Sequence, residues 1–291
     1  MSQHLYILTG GSRGMGLAIA EQLLQTGNTL ICISRNTQSS LTDLAQKEGA
    51  VLEQWSHDLA DGASASIALK NWLQAHSSDE FQSATLINNA GVASIGPFAQ
   101  QSADEFDTVW AINFGAAVGL TRAFLPHLLT QKAAHIVNMS SVFGLVAPEG
   151  QAAYAASKFA LRGFSEALRQ ELRGSSVRIM VVHPGGVDTA IASSAMASGV
   201  SAHEAAHERK RFARLPKLSA TQVAECILQA LPKGRDRLVL GWDARLLDLM
   251  QRCFPQGHAR VLAWLMRWGN TPRHRSNGSP GAQQQTGDGH G

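Results

Sequence analysis

Short apolar runs of strand length recur along the chain, and between them lie stretches in which apolar residues return every three or four positions. The runs are Leu5 to Leu8, Ile31 to Ile33, Ala50 to Leu52, Thr85 to Ile87, His135 to Met139, Val177 to Val182 and Arg237 to Gly241. The first intervening stretch places Leu17, Ile19, Ala20, Leu23 and Leu24 on one helical face. Near-continuous apolar strands alternating with amphipathic helices predict an α/β protein built on a doubly wound, mostly parallel sheet covered on both faces. Ligands of such sheets bind beyond the carboxyl ends of the strands. The polar and glycine-rich signals fall there: Gly10 to Gly16, Arg35, Asp58, Asn88 to Gly91, Ser141 and Pro184 to Thr189.

Length and composition narrow this picture. The 291 residues would allow two domains, but an open parallel sheet commonly takes well over 200 residues as one unit, so a single domain over 1–241 is expected. The net charge of +3 comes with no basic run long enough to track a nucleic-acid backbone, which argues against a nucleic-acid partner. Cys32, Cys226 and Cys253 are an odd set without framework spacing and read as reduced, mostly buried thiols. The first strand starts too close to Met1 for a signal peptide, and a cytoplasmic protein is expected. His203 and His207 stand four apart in H-E-A-A-H, but in a polar segment, so a solvated helix face is preferred to a zinc site and no metal is expected.

The run Thr9-Gly10-Gly11-Ser12-Arg13-Gly14-Met15-Gly16 joins the first strand to the first helix. Glycine lets the backbone turn tightly and approach a pyrophosphate, and a helix start offers free N–H groups to an anion. Strand, glycine turn, helix and second strand together predict a dinucleotide-binding unit. An acidic residue ending the second strand would bind the ribose 2′-hydroxyl of NAD. Here Arg35 follows Ser34, with Arg13 in the glycine loop, and two cations there suit the 2′-phosphate of NADP, so NAD is the less favoured cofactor.

Tyr154 and Lys158 lie four apart in A-Y-A-A-S-K, the spacing that stacks two side chains on one helix face. A phenol titrates near 10, and a neighbouring ammonium is expected to lower it toward efficient proton transfer. Ser140 and Ser141 upstream add a hydroxyl. The three groups suit protonation of a carbonyl oxygen while a hydride arrives.

In order and spacing, residues 5 to 241 resemble the short-chain dehydrogenase/reductase family, whose fold is the Rossmann type. Its T-G-x-x-x-G-x-G is Thr9 to Gly16, its N-N-A-G is Asn88 to Gly91, and its helix asparagine is Asn113 in I-N-F-G. Its serine, thirteen before the tyrosine, falls on Ser141, and its Y-x-x-x-K on Tyr154 and Lys158. The resemblance implies a carbonyl reductase or ketoreductase in which Tyr154 is the general acid/base. Lys158 lowers its pKa and holds the nicotinamide ribose, Ser141 binds the substrate oxygen, and Asn113 anchors a water that relays protons to Lys158. It implies cofactor contacts from Gly10, Ser12, Arg13, Gly14, Met15, Arg35, Asp58, Leu59, Asn89, Ala90 and Gly91, together with Tyr154 and Lys158. Pro184, Gly185, Val187 and Thr189 are implied near the nicotinamide. Ser141, Phe143, Tyr154 and Gly185 are expected to line a pocket for an apolar or aromatic ketone or secondary alcohol. Association as a homodimer or homotetramer is also implied. The competing class is a non-catalytic NADP-binding redox sensor, which would need the nucleotide loop but not Asn113, Ser141, Tyr154 and Lys158 together. An epimerase or dehydratase would show a different glycine spacing and a larger C-terminal domain.

Two regions stand outside the motifs. Residues 190–217 are small, polar and mixed in charge, as in a mobile substrate lid or an ordinary surface helix. Residues 242–268 form an amphipathic extension that most of the family lacks, with Pro255 and Gly257 splitting it into two short helices. Its three uses, in order of preference, are packing on the body or a sister subunit, roofing an apolar pocket, and peripheral contact with a membrane surface. Residues 269–291 have the composition of a disordered tail.

Overall fold

The computed structural model describes residues 4–77, 80–188, 191, 194–197 and 218–260. Its strands are β1 (His4–Thr9), β2 (Thr29–Ser34), β3 (Val51–Ser56), β4 (Ser83–Asn88), β5 (Ser94–Ile95), β6 (Ala133–Met139), β7 (Val177–Pro184), β8 (Met196–Ala197) and β9 (Arg237–Leu240). Seven form one sheet in the order β3-β2-β1-β4-β6-β7-β9, every pair parallel. From β1 the chain builds outward first through β2 and β3, then on the other side through β4, β6, β7 and β9. The reversal opens a crevice between the carboxyl ends of β1 and β4, where such sheets hold dinucleotides.

Alternate residues of each strand face opposite layers. Leu8, Leu30, Val137 and Val182 are buried against helices α1 (Gly14–Leu24) and α7 (Ala220–Ala230), in a cluster that also takes in Leu41 and Ala45 of α2 (Ser39–Glu48). Ile7, Ile31, Ile136 and Ile179 face the other layer, with α3 (Ser64–Ala75), α5 (Ala116–Thr130) and α6 (Ala152–Glu171). Each fully buried aliphatic side chain contributes about 1.5–3 kcal/mol, so the two layers fix strand register as well as stability. Within this apolar frame Asn88 Nδ2 donates to Asn138 Oδ1 at 2.8 Å, and Asn138 Nδ2 donates to Ser165 Oγ at 2.7 Å. That chain ties β4, β6 and α6 together below the crevice.

Three elements add to what the apolar pattern predicts. Strand β3 runs on to Ser56 because Glu53 is satisfied locally, its carboxylate accepting from the indoles of Trp55 at 2.9 Å and Trp72 at 2.8 Å. Helix α4 (Ala103–Trp110) passes into α5 through a π-helical turn, Ala111–Gly115. The described part of segment 190–217 includes β8, which pairs in parallel with β5, so Met196 and Ala197 are held by a ladder; the remainder, with His203 and His207, lies outside the described residues.

The extension begins as α8 (Trp242–Cys253), which stops just before Pro255; a turn over 255–257 leads into a second helical stretch that starts at 258, as the split at Pro255 and Gly257 implies, and residues from 261 on, with the tail, lie outside the described residues. Its inner face packs on the body. Ala244 is fully buried with Val142 and Val146, and Leu247, Phe143 and Val239 pack against them. Arg237 of β9 forms a two-pronged ion pair with Asp248 of α8, at 2.6 and 2.9 Å. Trp242, Leu246, Leu249 and Phe254 are exposed on the outer side.

Candidate active site

The glycine run forms the tight passage from β1 into α1. Gly10 and Gly14 take left-handed φ values of 71° and 57°, which cost other residues about 1 kcal/mol or more. A methyl group on Gly16 would collide with the Gly10 carbonyl, and one on Gly10 would come within 2.9 Å of Ala90 Cα. Asn89 braces the turn, its Nδ2 donating to Thr9 O at 2.9 Å, while Thr9 Oγ1 accepts from the backbone N–H groups of Asn89 and Ala90. Arg13, the N-cap of α1, makes no side-chain capping bond, and the first turn holds no acid. Uncapped N–H groups above a cradle that any Cβ would fill fit a pyrophosphate.

From this cradle a cleft crosses the carboxyl edge of the sheet. Ser12, Arg13, Met15 and Arg35 line it with Asp58 and Leu59 after β3, Asn89 to Val92 after β4, and Ile112 and Ile191. The cofactor residues expected from the nucleotide loop through Gly91 are thus brought to one groove. Thr189 lies outside the described residues.

Gly91 connects the groove to Asn113 and Lys158, and through Lys158 to Tyr154. A methyl there would stand 3.3 Å from both Asn113 Oδ1 and Lys158 Nζ, so those two side chains flank it. Asn113 sits in the π-helical turn, its Oδ1 accepting from Val92 N at 2.8 Å and its Nδ2 donating to Val92 O at 2.9 Å and Ser157 Oγ at 3.0 Å. Lys158 and Tyr154 share one face of α6, with Nζ 5.7 Å from the centre of the phenol ring. Ser141 caps a short 3₁₀ turn, Val142–Gly144, its Oγ accepting from Phe143 N at 3.1 Å and also hydrogen-bonding to Tyr154. Ser140 does different work: its hydroxyl donates to the Lys158 carbonyl at 3.0 Å. The Phe143 ring meets Tyr154 edge-on, centres 6.2 Å apart at 87°. That contact sets an aromatic wall beside the phenol.

The electrostatics correct one expectation. Burial raises the Tyr154 pKa above its ordinary value, and the Ser141 hydrogen bond pulls it only partly back. Burial also lowers Lys158 to about 8, and its ammonium donates to the Met139 carbonyl at 2.8 Å. Desolvation outweighs the lysine's effect on the phenol in this site. A phenol held above 10 is protonated at neutral pH, the form that donates to a carbonyl oxygen.

Pro184 ends β7, and the loop after it carries Gly185, Gly186 and Val187. Gly185 N donates to Leu240 O at 2.8 Å, Val187 bridges to Leu218, and Gly186 N donates to Asp243 Oδ2 of α8 at 2.8 Å. Gly185 was expected at the substrate pocket, but the side on which it would carry a Cβ is filled by the Asp243 carboxylate. His183, fully buried, sets its Nδ1 3.0 Å from the Ser141 carbonyl. Neither Asp243 nor His183 was singled out by the sequence pattern. Cys32 lies under Gly11 and burial pushes its thiol up to about 12, whereas Cys226 and Cys253 are exposed, contrary to the expectation of mostly buried thiols.

Comparison with known proteins agrees with this geometry. Residues 4–198 match the family model described as short chain dehydrogenase. SadH of Mycobacterium tuberculosis, named as an oxidoreductase, is 35% identical over 262 residues, covering 88% of this chain and 93% of that protein. A short-chain dehydrogenase from Streptomyces avermitilis superposes with a TM-score of 0.73 at 28% identity, covering 94% of this chain and 99% of its own. A short-chain dehydrogenase/reductase from Burkholderia phymatum, solved in complex with NAD, gives a TM-score of 0.73 at 27% identity over 87% of this chain and 95% of its own. With the glycine cradle, the parallel sheet and the Ser141, Tyr154 and Lys158 cluster all in place, the chain belongs to the short-chain dehydrogenase/reductase family of oxidoreductases.

Proposed function

We propose that this oxidoreductase transfers a hydride between NADP and the carbonyl or secondary alcohol of an apolar small molecule, with Tyr154 as general acid in reduction and base in oxidation. The observation that carries the reading is the chain of contacts that leads from Gly91 in the cleft to Asn113 and Lys158 beside it, from Lys158 to the Tyr154 ring, and from Tyr154 to Ser141. The bound dinucleotide supplies or accepts the hydride. The protein's share is to stabilise the charge that develops on the substrate oxygen. Tyr154 donates its proton there and the Ser141 hydroxyl adds a second hydrogen bond, both gaining strength as the charge appears. Lys158 and Asn113, side by side at Gly91, hold a water that returns a proton from solvent to the tyrosinate.

The two cleft arginines support NADP over NAD, since no acid follows Ser34 at the end of β2. Phe143 against Tyr154 supports an apolar or aromatic group on the substrate. A panel of ketones followed by NADPH absorbance, repeated with NADH, tests the reading. Consumption of NADPH with at least one apolar ketone and weak use of NADH is expected; no turnover with any carbonyl or alcohol in either direction contradicts it.

A further inference from the structure

Asp243 belongs to the C-terminal extension, yet its carboxylate lies inside the loop that closes the reactive end of the cleft. Gly241, at φ 94°, turns the chain from β9 into α8, and this turn swings Asp243 back over the carboxyl end of β7. There Oδ2 accepts from Gly186 N at 2.8 Å. The fit is close on two sides, because a Cβ on Gly185 or on Gly241 would collide with the carboxylate. The same loop is held on another side by Leu218, whose N–H donates to Gly186 O at 3.0 Å and whose carbonyl accepts from Asp188 N at 3.0 Å. One residue later than Asp243, Ala244 is buried against Val142 and Val146 beside Ser141 and Phe143. Helix α8 therefore touches both walls of the reacting end, the serine turn through Ala244 and the loop after β7 through Asp243.

We propose that Asp243 is a positioning residue that fixes the Gly185–Val187 loop for the nicotinamide half of the dinucleotide, which makes the C-terminal extension part of the working site. This rests on the dinucleotide reading above. The glycine cradle of β1 and Arg35 after β2 take up the phosphate and adenosine side of the cleft. A dinucleotide laid across the crevice brings its other half to the carboxyl ends of β4, β6 and β7, where Tyr154, Ser141 and the loop stand. A carboxylate accepting a backbone N–H makes a strong, directional bond. A loop held that way presents its backbone without the entropy cost of ordering on binding.

The test compares binding of the whole cofactor with binding of its adenosine half. In the full chain, Asp243→Ala is expected to raise the NADPH dissociation constant about tenfold and to lower kcat, while 2′,5′-ADP, which lacks the nicotinamide, binds within about twofold of the parent. Asp243→Asn keeps an oxygen acceptor and loses the charge, so it is expected to restore most of both parameters. If Asp243 acted only on the helix dipole of α8, Asn would be as damaging as Ala and the two ligands would weaken together. Should the alanine variant not accumulate, Asp243→Ser, too short to reach Gly186, gives the same readout. Unchanged NADPH binding and kcat in the alanine or serine variant, or equal weakening of NADPH and 2′,5′-ADP, overturns the proposal. Failure of the parent protein to bind NADPH or NADH at all would overturn the dinucleotide reading itself, and this inference with it.

Discussion

Lys158 Nζ stands over the Tyr154 ring, 5.7 Å from its centre, while donating to the Met139 carbonyl at 2.8 Å, so the ammonium is tied to the sheet by a hydrogen bond and meets the phenol through the ring. Burial keeps the phenol protonated well past neutrality and lowers the lysine to about 8. Oxidation of an alcohol needs the phenolate, and reduction of a ketone needs the phenol. The rate of alcohol oxidation is therefore expected to climb steadily as pH rises above 7, with ketone reduction holding level near neutrality and falling only in alkali. Paired pH profiles of kcat/KM in the two directions measure this; an oxidation rate already level by pH 7 contradicts it.

Arg35 follows the end of β2 and lines the cleft with Arg13. If it meets the 2′-phosphate, Arg35→Ala raises KM for NADPH about tenfold and leaves KM for NADH within about twofold, since only NADPH carries that group. Steady-state kinetics with both cofactors decide the matter. Equal changes for the two would leave the arginine with a general rather than a discriminating role.

Gly91 and Gly16 are expected to fail differently. A methyl at position 91 crowds the side chains of Asn113 and Lys158 at 3.3 Å, which can give a few tenths of an ångström, so Gly91→Ala should lower kcat about tenfold and barely move the melting temperature. A methyl at position 16 meets the Gly10 backbone carbonyl, which cannot give, so Gly16→Ala should abolish dinucleotide binding and lower the melting temperature. Thermal melts beside kinetics separate the two patterns.

His183 is fully buried, and burial holds it down to about 4 against an ordinary 6.5. The folded protein then resists a proton that the unfolded chain accepts. Stability from this group is complete above pH 6.5 and is lost as pH falls through 6.5 toward 4, by about 3 kcal/mol in all. His183→Asn keeps a donor near the Ser141 carbonyl and removes the titration, so its stability should fall less steeply over that window. Urea melts at intervals between pH 7 and 4.5 compare the slopes; identical slopes contradict the assignment.

Much of this molecule was legible in its sequence because the informative patterns are local. The glycine run, N-N-A-G and Y-x-x-x-K each place their groups within one turn or one loop, and the apolar runs marked all seven main strands. What stayed hidden depends on distant partners or on polar residues inside regular elements. The second half of strand β3 holds Glu53, Gln54 and Ser56, whose polarity masks an edge strand until the Trp72 indole is seen to satisfy the Glu53 carboxylate. The two-residue strands β5 and β8 are too short to show a period. Asp243 reads as one polar residue in an amphipathic helix, and its tie to Gly186 spans 57 positions. The sign of the Tyr154 shift was also out of reach, since spacing shows that a lysine is near but not how completely both groups leave water.

The most direct test of the account replaces one oxygen. Tyr154→Phe keeps the ring against Phe143 and deletes the proton donor, so kcat should fall by about three orders of magnitude while the NADPH dissociation constant stays within a few fold. A variant that turns over a ketone at the parent rate would contradict it.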